Sequence, residues 1–216
     1  MELLQSLQEA IVDSSRSLTD SLRLAKILAA RLQHTPLKEW VDFELDGYPK
    51  DGDVPAYRKA DISLRGHFIG PAGMSSKNAH IPHGNLVSAV GRKLADQWRT
   101  MSIRQGIAEC EHLIGQKGEL RVQVPPEMIR LIGSNVYEHM SCMDAFAWLS
   151  AGTLRGLVDS VRNRLLTFVL DLETSHGVTI KDQNWRSVPA GSITQIFNNS
   201  ILRDVAAGAH ISQTRE

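Results

Sequence analysis

The sequence predicts an α+β fold, mostly helical, in which an N-terminal helical hairpin and a long central helix pack with a small β-sheet, followed by a short strand-like C-terminal tail. Three observations carry this. Ala151–His176 holds the longest helical pattern, with Leu154, Leu157, Val158, Val161, Leu165, Phe168, Val169 and Leu172 recurring at spacings of three and four. Residues 1–32 hold two shorter amphipathic stripes separated by a polar break. The segments 57–70 and 119–125 alternate as strands do.

Taken in order, Leu3, Leu4, Leu7 and Ile11 share a helical face, and Asp13–Ser17 breaks the pattern. Ser17 with Asp20 is an N-cap signal for a second helix along Leu18, Leu22, Ala25, Ala29 and Leu32. Thr35 and Pro36 open a third helix, carrying Leu37, Trp40, Val41 and Leu45 and closed by Gly47. In the strand 57–70, Ile62, Leu64, Gly66, Phe68 and Gly70 fall on one face, and the glycines suit a bulge, a close backbone approach or an ordinary twisted strand. Pro71–Gly84 has no periodicity and is expected to be a long loop, a place to look for a ligand through His80 and His83.

Asn85–Trp98 and Ile103–Leu113 read as two helices, residues 119–125 as a short strand, and Met128, Leu131 and Ile132 as a short helix closed by Gly133. Val136–Trp148 has no clean period and suits a strand, a helix or both. Ser150 can cap the long helix and Gly177 can end it. The organisation expected is a globular domain over 1–176, a linker over 177–191 and a tail over 192–216. In that tail Ile193, Ile196, Phe197, Asn198, Asn199, Ile201, Val205, Gly208 and Ile211 suggest short extended pieces between turns, suited to docking on the domain or pairing with copies of the chain.

Two positions on the helical faces are charged. Arg162 lies in the row Val158, Arg162, Leu166, where an unpaired guanidinium is costly. Glu44 follows Trp40 by one turn, so it is the acid to pair with Arg162 or Arg58, and the structural ion pair expected is Glu44 with Arg162. The competing reading of Glu44 is a solvated helix-end carboxylate.

Composition limits the function classes. The chain has 216 residues, 42% hydrophobic, with Lys+Arg 24 against Asp+Glu 24, enough to bury a real core and without the basic field of a nucleic-acid-binding protein. Two cysteines, no leader-like start and no apolar run of about 18 residues point to a cytoplasmic protein without a membrane span. Cys110 with His112 and His139 with Cys142 could supply four zinc ligands if the pairs converged, but no CxxC knuckle is present and Cys110 falls on an apolar stripe, so core cysteines are favoured. No G-x-S-x-G, H-E-x-x-H, Walker A or G-x-G-x-x-G sequence occurs, so neither a nucleophile nor a cofactor is assigned.

Trp40-Val-Asp-Phe-Glu44-Leu-Asp-Gly47-Tyr48, Pro55, Tyr57-Arg58, Gly66-His-Phe-Ile-Gly70-Pro71, Ile81-Pro82, Arg104-Gln105-Gly106 and Val161-Arg-Asn-Arg-Leu-Leu166 together resemble the AbiTii domain family of bacterial abortive-infection systems, over roughly residues 1–176. The resemblance implies an antiphage role with a second protein as effector or partner, and carries no active site with it. The function expected is a non-catalytic sensing or regulatory module that works through protein contacts and self-association as a homo-oligomer. The contrasting expectation is a toxin-type enzyme, such as a nuclease, whose acids and histidines meet only in the fold.

Overall fold

The structure, a computed structural model, describes residues 2–116, 120–133, 135–181 and 185–203. Helices α1 (Glu2–Val12), α2 (Leu18–Leu32) and α3 (Thr35–Asp46) precede strands β1 (Lys59–Asp61), β2 (Ser63–Ile69) and β3 (Ser75–His80). Then come α4 (His83–Val90), α5 (Arg92–Gln97), β4 (Thr100–Ser102), α6 (Ile107–Gly115), β5 (Leu120–Gln123), α7 (Pro126–Ile132), β6 (Ser141–Leu149), α8 (Ala151–Lys181) and α9 (Ala190–Ser200). The result is α+β and mostly helical, as the sequence predicts.

The chain divides into two compact units. The helical unit is built from the described residues of Met1–Arg58, Arg104–Ile114 and Leu154–Glu216, and the sheet unit from those of Lys59–Ile103 and Gly115–Thr153.

In the helical unit the periodic residues are the buried ones, among them Leu7 and Ile11 of α1, Leu22 and Leu28 of α2, Leu37 and Val41 of α3, and Val161, Leu165 and Phe168 of α8. Local chemistry sets the boundaries. Ser17 Oγ accepts from the Asp20 N–H, while the Glu111 carboxylate accepts from the Leu18 N–H at 2.7 Å and the Thr19 hydroxyl at 2.9 Å, so the first turn of α2 is capped from two places. The N-cap of α3 is His34, whose Nδ1 accepts from the Leu37 N–H at 3.2 Å, and Gly47 closes the helix at φ +96°. Gly177 does not end α8, which runs to Lys181; a glycine inside a helix costs only about 1 kcal/mol relative to alanine.

The segment expected to be strand-like is also helical. Ile193, Ile196, Phe197 and Ile201 are buried along α9 and its C-cap, at spacings of three and four that match a helix, so the Asn198-Asn199-Ser200 turn signal is overridden. Val205, Gly208 and Ile211 lie outside the described residues.

The sheet unit carries a four-stranded antiparallel sheet of order β3-β2-β6-β5 and a separate β1-β4 pair. The unassigned stretch 136–148 supplies the central strand β6, with Leu64 opposite Ala147, Gly66 opposite Ala145, and Val122 opposite Ala147 on the other side. Leu64, Phe68, Cys142, Ala145 and Ala147 pack in one core with Leu86, Ala95, Val124 and Ile132. The expected strand 57–70 is two strands parted at Ile62, whose N–H turns to the Arg99 carbonyl at 2.9 Å. The glycine-thinned face of β2 is a close approach with a register shift, since a Cβ on Gly66 would lie 2.9 Å from the Asp144 carbonyl oxygen.

Two further expectations change. Pro71–Gly84 is not a long loop: β3 pairs with β2, Arg65 opposite His80 and Gly66 opposite Ala79, as an edge strand with mostly exposed polar side chains. Residues 85–98 form two helices, parted by Gly91 at φ +82°, and Ile103 precedes α6 because Thr100–Ser102 pairs with β1.

Candidate functional site

A dense buried polar cluster lies in the helical unit and is made by the motifs around Trp40, Tyr57 and Gln105. α3 buries Glu44 completely, and the short 3₁₀ turn Ala56–Arg58 brings in Arg58, also fully buried. Arg58 Nη2 donates to Glu44 Oε2, and Arg58 Nη1 donates to the Gln105 carbonyl at 2.6 Å. The other carboxylate oxygen accepts from the hydroxyls of Tyr48 at 2.6 Å and Tyr57 at 2.7 Å, and the Trp40 indole N–H donates to the Tyr57 oxygen at 2.8 Å. Backbone contact closes the cluster. The Tyr48 N–H donates to the Arg104 carbonyl at 2.8 Å, a Cβ on Gly47 would lie 2.7 Å from that oxygen, and one on Gly106 would run into the Leu45 carbonyl.

The charges are placed to stay as they are. Burial alone would lower the Arg58 pKa, but the Glu44 charge and hydrogen bond hold it above its ordinary value. Burial and the Glu44 charge push the Tyr48 and Tyr57 phenols up, so both remain neutral donors at physiological pH. Arg164 Nη1 donates to the Ile201 carbonyl at 2.6 Å, and its guanidinium lies 4.4 Å from the Tyr57 ring centroid, linking α9 to the cluster. Burial lowers the Arg164 pKa.

The expected pairing of Glu44 with Arg162 is therefore corrected to Glu44 with Arg58. Arg162 is half-buried and donates to the Ile11 carbonyl at 2.7 Å, at the open carbonyl end of α1, and to the Arg16 carbonyl at 3.2 Å in the turn that follows, so its hydrogen bonds are made there. The buried arginine of α8 is Arg164, two positions further on. Sequence reasoning missed Tyr48, Tyr57, Gln105 and Arg164 as network members, although all four stand in the motifs that carry the family resemblance.

In the sheet unit, His80 and His83 border a cleft of about 230 Å³ whose walls include Asp61, Ser63, Leu64, Trp98 and Arg99. The turn between the histidines is held firmly. The Ile81 N–H donates to the Leu64 carbonyl at 2.8 Å, Ile81 is buried, and the Tyr137 hydroxyl donates to the His80 carbonyl. His83 Nε2 sits 3.1 Å from Asp96 Oδ1 at the rim. Beside this cleft a second one of about 280 Å³, mostly apolar, shares Ile62, Leu64 and Trp98 with it.

The four metal candidates do not form a set. Cys110 and His112 belong to the helical unit, His139 and Cys142 to the sheet unit. Burial pushes both thiols up, away from the thiolate a metal needs, and each lies against a carbonyl, Cys110 that of Gln105 at 3.8 Å and Cys142 that of Asp144 at 3.4 Å. His139 is exposed beside Glu138. Among the described residues no three His, Cys, Asp or Glu stand close enough to hold a metal ion, and no helix is long and apolar enough to cross a membrane.

Searches among curated proteins and among solved structures return no match. The AbiTii family model matches residues 2–196, a span that holds all the helices and strands up to most of α9, the buried Glu44–Arg58 cluster and the histidine-bordered cleft. The chain belongs to the AbiTii family of bacterial abortive-infection proteins.

Proposed function

We propose that this chain is a non-catalytic sensing and regulatory module of an antiphage abortive-infection system, working in the cytoplasm through self-association and contact with an effector protein of the same system. The carrying observation is how Glu44 is used. Its two oxygens take three donors inside a buried network and Glu44 has no exposed surface, so this acid of the helical unit is framework and is closed to a substrate. The cleft bordered by His80 and His83 leaves polar side chains open to solvent, which suits recognition.

The test is affinity capture of the chain from phage-challenged bacteria, with sedimentation of the purified protein. A second protein recovered in constant ratio and a species heavier than the 23.9 kDa chain support the reading. A monomer at every concentration overturns self-association, and nucleic-acid cleavage by the purified chain would favour a toxin-type enzyme instead.

A further inference from the structure

The two adjoining clefts of the sheet unit differ in chemistry and share one wall. Either alone falls below the 300–1,000 Å³ of an ordinary small-molecule site, but together they fall within it. The apolar lobe is bordered by Met101, Val122 and Met128, with Gln97, Thr100 and Gln123 supplying the few polar groups that could orient a ring. The polar lobe carries Arg99, His80 and His83 together with Asp61 and Ser63. Trp98 borders both, a flat surface on which a planar group can stack.

This combination narrows the ligand. A bare phosphate would meet a single arginine, with Asp61 opposing it, which is a weak site for a dianion in water. A purely apolar molecule would leave the polar lobe unused. A divalent cation lacks a ligand set, since no three metal-binding side chains gather among the described residues. A phosphorylated nucleoside uses all of it: a base in the methionine-lined lobe against Trp98, sugar hydroxyls toward Asp61 and Ser63, and a phosphate toward Arg99 and the histidines.

Backbone hydrogen bonds set the frame. On one side the Ile62 N–H holds the Arg99 carbonyl at 2.9 Å, and on the other the Ile81 N–H holds the Leu64 carbonyl at 2.8 Å, so both walls are tied to the segment 62–64, the break before β2 and its first two residues. We infer that the two clefts of the sheet unit run together past their shared residues Ile62, Leu64 and Trp98 and bind a nucleoside monophosphate, with Trp98 as the stacking surface and Arg99 as the phosphate contact. The inference takes its biological role from the sensing reading; the binding chemistry stands apart from it.

The experiment is titration of the full purified chain with the four ribonucleoside 5′-monophosphates, with the matching nucleosides and inorganic phosphate as fragments, followed by calorimetry or ligand-observed NMR. At least one monophosphate should saturate with Kd below about 1 mM, and its nucleoside should bind roughly tenfold more weakly or worse. Arg99→Ala leaves the backbone carbonyl in place and should remove most of the advantage of the monophosphate over the nucleoside. Val122→Trp, at an exposed position on β5, fills the apolar lobe and should abolish both, with circular dichroism and melting confirming that each variant is folded. Saturation by none of the four monophosphates overturns the inference, as does binding that neither substitution changes. If Arg99→Ala abolishes monophosphate binding but leaves phage protection at the parent level, the site stands and the sensing role fails.

Discussion

The two units treat their polar groups in opposite ways. In the helical unit Glu44, Arg58, Tyr48 and Tyr57 satisfy one another around a fully buried ion pair, and backbone carbonyls complete the set. In the sheet unit Asp61, His80 and Arg99 stand exposed around a cleft. A buried, closed network resists change, because removing one member leaves the others desolvated and unpaired. An open set costs little to alter and is free to meet a ligand. Stability should therefore depend on the first group, and recognition on the second.

The largest effect should come from the end of the chain. Truncation before Ser192 removes Ile193, Phe197 and Ile201 from the core, where each large apolar loss costs about 2–5 kcal/mol, and should unfold the helical unit. Truncation after Arg203 keeps α9 and the Ile201 carbonyl that Arg164 holds, and should melt well above the shorter truncation. Equal melting of both truncations would remove α9 from the frame.

Next is Glu44→Ala, which strands Arg58 without its counter-charge and should cost about 3–5 kcal/mol in urea unfolding, whereas His80→Ala should stay within about 0.5 kcal/mol. Similar costs for the two would erase the contrast between the units. Gly106→Ala should cost about 1–3 kcal/mol, since its methyl group meets the Leu45 carbonyl and neither backbone can move away easily.

The smallest effect is a pH dependence. His34 caps α3 through Nδ1 as a neutral ring, its Nε2 faces Thr194 Oγ1 at 3.1 Å, and burial holds its pKa below the ordinary 6.5. The unfolded chain therefore takes up the proton first. The stability from this residue is complete above pH 6.5 and is lost as pH falls through the folded pKa. His34→Asn keeps a capping oxygen and should flatten that slope, at a cost of about 1 kcal/mol or less at pH 7. A slope unchanged by the substitution would place the titrating group elsewhere.

What the sequence makes legible follows from how each element is buried. α1, α2, α3 and most of α8 each bury one stripe, so their period stands out. β6 runs between β2 and β5 with Ala145, Phe146 and Ala147 all buried in succession, so it shows no alternation. β3 hides for the opposite reason, because most of its side chains face water and Ala79 is its single apolar residue. α9 was readable from Ile193, Ile196, Phe197 and Ile201, but its asparagines suggested turns.

For the site, the turn from Trp40 to Glu44 marks the acid as facing the core, while the choice between Arg58 and Arg162 is tertiary and has no trace in spacing. The histidine cleft was legible only as two residues. Trp98 and Arg99 reach it through the Ile62 hydrogen bond, which the sequence does not announce.

The clasp of Arg58 on the Gln105 carbonyl has a consequence for how this protein can change over generations. The chain leaves the helical unit after Arg58 and re-enters it at Arg104, so the clasp fastens the two ends of a long excursion to each other. The entropy of closing such a loop grows only with the logarithm of its length, about 0.6 kcal/mol for each doubling. Within Lys59–Ile103 the strands and helices are held by pairing and packing, so it is in the exposed turns that join them that insertions can accumulate at small thermodynamic cost, provided the closure itself is kept. With Glu44, Arg58 and Gly106 kept, those turns are where the exposed surface of the excursion can be reshaped without loosening its closure.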